Sequence, residues 1–474
     1  MRANPPISSE PVEWGNHGSV QQQPSPKSRP LVVDLDEVLL HPNLFVEAAF
    51  SEVAANPSSL AGMLAALFAG RDALKRRIAA SGHFDPSRLL YNNEVVALLL
   101  RTLGEGRPVY LVSATYQRPL VNAVAQHLGI FAGWSASEES YSPGAAMPGF
   151  QQTSGAQGFD YLGRDAAELS NASKIARQLS TDSRPDWRTW AKLLRIHQYA
   201  KNALVLVPLL TAHQFALLPA AKALLAALAF SLCASSAYIL NDLVDVTADR
   251  VHASKRHRPL ASGAISPAHG VIAMASLLIG SLAIAAAVSS AFLGVLLGYL
   301  SLTAAYSFCL KRIMLADVVT LAILYTLRVI GGAVAIDVVM SEWLFAFSLF
   351  IFMSLALVKR YIELAGQLHQ NHPSLMHRDY QANDQTIVAV LAAAAGFNAV
   401  VVFTLYISSE AVRALYARPQ VLWIACPILI YWVARILMLA HRRMIDDDPV
   451  IFALKDKVSW VAMTAICAIM AAAI

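Results

Sequence analysis

The sequence predicts a multi-domain chain: a small α/β domain followed by an α-helical membrane bundle of about nine transmembrane helices. Three observations predict it. The 474 residues are 56% hydrophobic and only 15% charged, with a mean hydropathy of +0.48, high for a soluble protein. The apolar residues are concentrated: residues 1–190 are of mixed composition, and nearly everything beyond 200 is apolar runs joined by short polar hinges. Those hinges alternate between basic and almost free of Lys and Arg.

Residues 1–29, rich in Pro, Ser and Gln, read as a disordered arm without the basic start and apolar core of a signal peptide. Residues 30–180 carry the α/β domain. "PLVVDLDEVLL" is an apolar strand ending in Asp34 and Asp36, and "PVYLVSAT" is another, ending at Ser113. A small helical cap is expected over residues 45–90. Residues 181–198 form a linker and interfacial helix, and residues 199–474 form the bundle. The four cysteines, Cys233, Cys309, Cys426 and Cys467, lie in or beside apolar stretches without metal-ligand spacing, and read as packing residues.

Nine apolar stretches approach the length that a bilayer core requires: 199–217, 219–240, 270–288, 291–309, 314–336, 343–360, 387–408, 421–441 and 458–474. Lys192, Arg195 and Lys201 precede the first. Arg250, Lys255, Arg256 and Arg258 follow the second, Lys311 and Arg312 the fourth, Lys359, Arg360 and Arg378 the sixth, and Arg442, Arg443, Lys455 and Lys457 the eighth. Only Arg413 and Arg418 interrupt the alternation. Basic hinges stay in the cytoplasm, so a bacterial inner-membrane protein is expected, with a cytoplasmic N-terminal domain and an external C-terminus. Arg328 lies inside the fifth stretch, where a charge is costly; a salt bridge and a substrate contact both account for it. Arg435, near a helix end, is expected to snorkel.

The hinge "NDLVDVTADRVHASKRHRP" concentrates charge between two oily helices. Asp242, Asp245 and Asp249 sit at i, i+3 and i+7, one face of a helix. Three carboxylates together repel one another, and a divalent cation relieves this; Mg²⁺ favours a few carboxylates completed by substrate phosphates and water. Asn241 adds an amide. Lys255, Arg256 and Arg258 suit phosphate oxygens. Acid then base on one hinge is the chemistry of a Mg²⁺-bound diphosphate.

"NDLVDVTADR" resembles the NDxxDxxxD signature of the UbiA superfamily of intramembrane transferases, and "KRHRPLASG" resembles the stretch that follows it. Within the superfamily, "RIHQYAKNALVLVPL" is similar to the RxxQWxKN motif of decaprenyl-phosphate phosphoribosyltransferases, which carries over Lys201 and Asn202, with Tyr199 in place of Trp. "YSFCLKRIMLADVVTLAILYTLRVIGG" resembles that branch's second motif, with Tyr306, Lys311 and Asp317. "LALVKRYIEL" adds Lys359 and Arg360, and "DDPVIFALKD" also looks like this branch. Aromatic prenyltransferases of the superfamily usually show a second DxxxD motif; here Asp317 is the acid on that hinge.

The resemblance implies transfer of a 5-phosphoribosyl group from phosphoribosyl diphosphate to a polyprenyl phosphate, supplying lipid-linked pentose such as arabinose to a glycoconjugate. Bacterial nodulation proteins look like this branch too. Asp242, Asp245 and Asp249 would hold Mg²⁺ and Asp317 would act with them. Asn241, Lys201, Asn202, Lys255, Arg256, Arg258, Tyr306, Lys311, Lys359 and Arg360 would bind substrate. The membrane and the two phosphorylated substrates are the expected partners, with no nucleic acid; the sequence leaves the oligomeric state open. An aromatic prenyltransferase with a 4-hydroxybenzoate-like acceptor is the second reading. A transporter or non-catalytic membrane partner is the third, and the acidic triplet argues against it.

The N-terminal strands resemble haloacid-dehalogenase-type phosphatases. The resemblance implies Asp34 as nucleophile, Asp36 as general acid–base and Ser113 as the second motif. "FDYLGRDAAEL" looks like the acidic fourth motif, but Arg164 stands at an acidic position, leaving Asp165 and Glu168 nearby, and Pro143 replaces the family's lysine. Glu37 and Val38 also depart from the usual Gly and Thr. The departures point to a degenerate domain kept for folding or partner contact.

Overall fold

The computed structural model describes residues 29–40, 58–69, 86–113, 118–136, 159–163, 172–174, 185–252, 254–370, 379–410, 416–445 and 448–473, with isolated positions between them. Residues 1–28, about half of the expected cap, Pro143, Arg164, Asp165, Glu168, Arg378 and Arg413 lie outside the described residues. The chain divides into two units, Met1–Leu193 with Leu240–Ile272, and Leu194–Ile239 with Ala273–Ile474.

The first unit contains a parallel sheet. In chain order its elements are β1 (Leu31–Asp34), α1 (Ser59–Phe68), α2 (Asn93–Gly104), β2 (Val109–Ser113), α3 (Arg118–Leu128), β3 (Gly133–Ala136), β4 (Phe159–Leu162), β5 (Ala172–Lys174) and α4 (Trp187–Leu193). The strand order is β3-β2-β1-β4-β5, and every neighbouring pair is parallel. β1 and β2 are apolar on both faces, as strands covered on both sides must be, and Val33, Leu99, Leu111, Val121 and Val124 form one core. The Asn92 side chain caps α2 by accepting from the Glu94 and Val95 N–H groups. β1 leads directly into a π-helical turn, Leu35–Leu39, which carries Asp36. Asp34 ends β1, which pairs with β4 where the strand order reverses, the crevice where open parallel sheets bind ligands; Ser113 ends β2 on the other side of β1.

The second unit is helical. A 3₁₀ segment, Ile196–Leu206, leads into α5 (Val207–Thr211) and α6 (Leu217–Val244). The hinge helix α7 (Val246–Val251) belongs to the first unit. There follow α8 (Pro267–Val288), α9 (Ser290–Phe308), α10 (Ala316–Ala335), α11 (Glu342–Gln370), α12 (Gln385–Ser408), α13 (Ala425–His441), α14 (Pro449–Lys455) and α15 (Lys457–Ala473). Among the described residues, seven helices are long and apolar enough to cross a membrane, α13 counting with the 3₁₀ turn before it. α14 and α15, bent by 76°, make an eighth if they act as one span. Exposed apolar side chains such as Leu224, Ile279 and Val401 are suited to lipid.

The expectation of nine spans is corrected at its first member. Residues 199–217 form no single long helix; they are split between the 3₁₀ segment and α5. Two causes are local. Pro208, which lacks an N–H, starts the short α-helix, and His213 adopts a positive φ of 53° just beyond its end. A third is packing: a Cβ at Gly332 of α10 would overlap the Val205 carbonyl oxygen, so the 3₁₀ backbone lies directly against a glycine.

Candidate functional site

The acidic hinge is built on the end of α6 and on α7. The helix breaks at Asp245, yet the Asp245 N–H still donates to the Asn241 carbonyl (2.9 Å) and the Asp249 N–H to the Asp245 carbonyl (2.8 Å). The helical path therefore continues and brings Asp242 and Asp249 to one face. Both are 3% exposed. They converge on Arg258, whose Nη1 donates to Asp242 Oδ1 at 3.0 Å and to Asp249 Oδ2 at 2.6 Å. Burial pushes the Asp249 carboxyl above its ordinary value, and the Arg258 charge and hydrogen bond oppose that rise.

Asp245 is half-buried, and Lys255 and Arg256 are exposed on a 3₁₀ turn, Lys255–His257. No three His, Cys, Asp or Glu groups are close enough to hold a metal ion among the described residues. The structure thus gathers two of the three expected carboxylates on a guanidinium. Their hard oxygens, aimed at one shared cationic point, fit a divalent ion's needs.

In the second unit a separate polar cluster forms around Asp448, which sequence reasoning did not single out. Its Oδ2 accepts from Lys201 Nζ at 2.7 Å, from Lys359 Nζ at 3.4 Å and from the Tyr325 hydroxyl at 3.5 Å. Its Oδ1 caps α14 by accepting from the Val450 N–H at 3.0 Å. Burial alone would raise the Asp448 pKa; the two lysines and the Val450 N–H outweigh it and hold the carboxyl at about 2. The sequence signal was present in "DDPVIFALKD", but it does not say which acid of the run turns inward.

Arg328 is buried inside α10. It donates to Asn202 Oδ1 at 2.8 Å, to the Leu324 carbonyl at 2.7 Å and to the Tyr299 hydroxyl at 2.8 Å. Its guanidinium also lies over the Tyr299 and Tyr325 rings. These acceptors are neutral, so the expected salt bridge is not what holds it. Asn202 in turn donates to Ser231 Oγ at 2.9 Å. Lys201 and Asn202 are therefore buried side by side with different partners.

Asp317 and Arg360 are paired with each other. Both side chains are fully buried, and they pair at 2.6 Å. The Tyr380 hydroxyl donates to Asp317 Oδ1 at 2.8 Å, and Arg360 also pairs with Glu363. Each neutralises the other in the bundle interior. Tyr306 is half-buried against the core around Phe230 and Phe292, and Lys311 is half-exposed on the turn Leu310–Arg312. Arg435 does not snorkel: it makes a two-pronged pair with Asp456, at 2.7 and 3.0 Å.

In the sheet unit, Asp34 is 1% exposed and Ser113 is fully buried. Asp34 Oδ2 accepts from the Tyr161 hydroxyl of β4 at 3.0 Å. The Asp36 side chain lies outside the described residues.

The model of the UbiA prenyltransferase family matches residues 203–455. The chain is 34% identical to the uncharacterized protein y4nM of Sinorhizobium fredii over 459 residues, covering 91% of this chain and 88% of that one. It is 33% identical to the nodulation protein NoeC of Azorhizobium caulinodans over 276 residues, covering 58% of this chain and 90% of NoeC. With the decaprenyl-phosphate phosphoribosyltransferase of Mycolicibacterium smegmatis it shares 37% identity over 184 residues, 36% of this chain and 56% of that enzyme.

Proposed function

Because the chain belongs to the UbiA prenyltransferase family, we propose that it transfers a 5-phosphoribosyl group from phosphoribosyl diphosphate to a polyprenyl phosphate, with Mg²⁺ as cofactor. The observation that carries this reading over aromatic prenyl transfer is the state of Asp317. A second acidic cation site on that hinge would need Asp317 as a ligand, and Asp317 is fully buried against an equally buried Arg360, whereas the Arg258 that holds Asp242 and Asp249 is partly exposed. The likeness to the decaprenyl-phosphate phosphoribosyltransferase supports the same choice.

Asp242 and Asp249 would hold the cation, with Asp245 next on the same hinge. Bound there, Mg²⁺ would stabilise negative charge on the departing diphosphate. Lys255 and Arg256, exposed beside them, reach donor phosphate oxygens through solvent. Arg258, between the two acids, keeps them oriented and adds positive charge to the hinge. At the anomeric carbon, the bond to the diphosphate oxygen breaks as the bond to the acceptor phosphate oxygen forms. The electron pair leaves with diphosphate. The acceptor is anionic near neutral pH and needs no strong general base, and orientation and electrostatics supply most of the acceleration. Lys201 and Lys359 in the bundle supply positive charge for a phosphate, and the acceptor's tail stays in lipid.

In this reading the basic hinges face the cytoplasm, the N-terminal domain is cytoplasmic and the C-terminus external, as the charge alternation favours. The α/β domain is a degenerate haloacid-dehalogenase-like fold retained for folding or partner contact. Its parallel sheet and the Asp34 carboxylate at the strand-order reversal support the fold assignment. The lipid-linked product supplies pentose, arabinose among the candidates, to a glycoconjugate; the likeness to a nodulation protein supports that destination.

The test is direct. Membranes containing the chain are incubated with labelled phosphoribosyl diphosphate, Mg²⁺ and polyprenyl phosphate, and the lipid fraction is counted. Labelled lipid is expected, dependent on both Mg²⁺ and acceptor. Parallel incubation with a prenyl diphosphate and 4-hydroxybenzoate should give no prenylated product; the reverse pattern would overturn the reading in favour of an aromatic prenyltransferase.

A further inference from the structure

We infer that Asp448 is a positioning residue that gathers Lys201 and Lys359 into a receptor for a phosphate monoester. Two ammonium groups repel each other, yet both lie on one oxygen of this carboxylate, at 2.7 and 3.4 Å. The carboxylate cannot turn away. Its other oxygen caps α14, Pro449 stiffens the chain immediately after it, and the Tyr325 hydroxyl donates to the shared oxygen. The oxygen that gathers the lysines is therefore fixed by a helix end, and the lysines are fixed by the oxygen.

The arrangement exceeds what a salt bridge needs. The Lys201 side chain is 9% exposed, and Asp448 alone suffices to neutralise it. Lys359 adds a second positive charge and is 36% exposed, which makes it the side from which a ligand arrives. Arg328, over the other ring contact of Tyr325 and bonded to neutral groups, adds a third. These three cations and one carboxylate leave two positive charges in a bundle poor in water. A phosphate monoester near neutral pH carries close to two negative charges. Each ammonium has three N–H groups and spends one on Asp448, so donors remain for phosphate oxygens.

The inference rests on the phosphoribosyl-transfer reading for its ligand, which offers two phosphate monoesters: the acceptor's head group and the donor's 5-phosphate. Both present the same chemistry to the lysines.

The full chain is reconstituted in nanodiscs and titrated calorimetrically with four probes: a short-chain polyprenyl phosphate, the matching polyprenol, ribose 5-phosphate and ribose. Wild type is expected to bind one phosphate more tightly than its alcohol by roughly tenfold or more, the scale of a charge-assisted hydrogen bond. The pair that shows the preference identifies the source. Asp448→Asn keeps the helix cap, since Asn caps as well as Asp, and should abolish that preference; the buried Lys201 loses its counter-charge, so the thermal midpoint should fall as well. Lys359→Met, at a partly exposed position, should abolish the same preference and serves if Asp448→Asn fails to fold. Undiminished preference for phosphate in both variants, or none in wild type, would overturn the inference. Preference in wild type without phosphoribosyl transfer would leave the receptor standing and remove only the reading of the reaction.

Discussion

Asp317 and Arg360 pair at 2.6 Å with neither side chain exposed to solvent. Two charges withdrawn from water this completely act on stability rather than on a ligand. Removing one partner strands the other, at a cost of roughly 3–5 kcal/mol, whereas replacing both with apolar residues of similar size is close to neutral. Arg360→Met and Asp317→Leu should each lower the thermal midpoint sharply in detergent. The double variant should recover most of the loss and retain transfer activity. Loss of activity in a well-folded double variant would return both residues to the catalytic machinery.

Asp242 and Asp249 are buried and share a cationic partner, so isosteric amides should preserve packing and remove cation affinity. Asp242→Asn and Asp249→Asn should reduce transfer by about 100-fold or more, the scale on which lost electrostatic stabilisation acts. Monodisperse elution and a helical spectrum should match wild type. Undiminished turnover of either purified variant refutes the cation assignment.

Much of this was legible in the sequence. Hydropathy located the seven spans because length and apolarity are what a bilayer reads. The NDxxDxxxD spacing placed Asp242 and Asp249 on one face because helical pitch fixes i and i+7. The 3₁₀ segment Ile196–Leu206 was not legible: hydropathy measures apolar length, not hydrogen-bond pitch. Pairs distant in sequence, Asp317 with Arg360 and Arg435 with Asp456, were hidden because local pattern carries no tertiary partner. Asp448 lies in the run "DDPVIFALKD", yet only the folded chain shows that its carboxylate meets two lysines.

Burial raises the Asp249 carboxyl, so its ionisation costs stability once pH climbs through the folded-state value, and Arg258 offsets that cost. Without the guanidinium the offset is gone wherever the acids are charged. Arg258→Gln should therefore lose roughly 2 kcal/mol near pH 7.5, less than a fully buried pair because Arg258 is partly exposed. The gap from wild type should narrow as pH falls and the Asp249 carboxyl, raised by burial, takes up its proton. Thermal midpoints at falling pH check it, and a constant gap would mean that packing, not charge, was lost.

Gly332 lets the Val205 carbonyl rest directly on α10, and a Cβ there has no room because the obstacle is backbone. Gly332→Ala should cost about 1–3 kcal/mol, the range for overpacking, and cannot be relieved by a rotamer change. The strain would fall on the 3₁₀ segment that carries Lys201 and Asn202, both buried against partners on other helices. A displaced segment should weaken the Lys201–Asp448 and Asn202–Arg328 contacts together, so phosphate affinity should fall along with the thermal midpoint. Gly331→Ala is the control: its Cβ would press on the buried Phe230 ring and not on the Val205 backbone, so it should leave phosphate affinity closer to wild type. Equal losses of phosphate affinity in the two variants would show that the 3₁₀ segment does not depend on the close approach at Gly332.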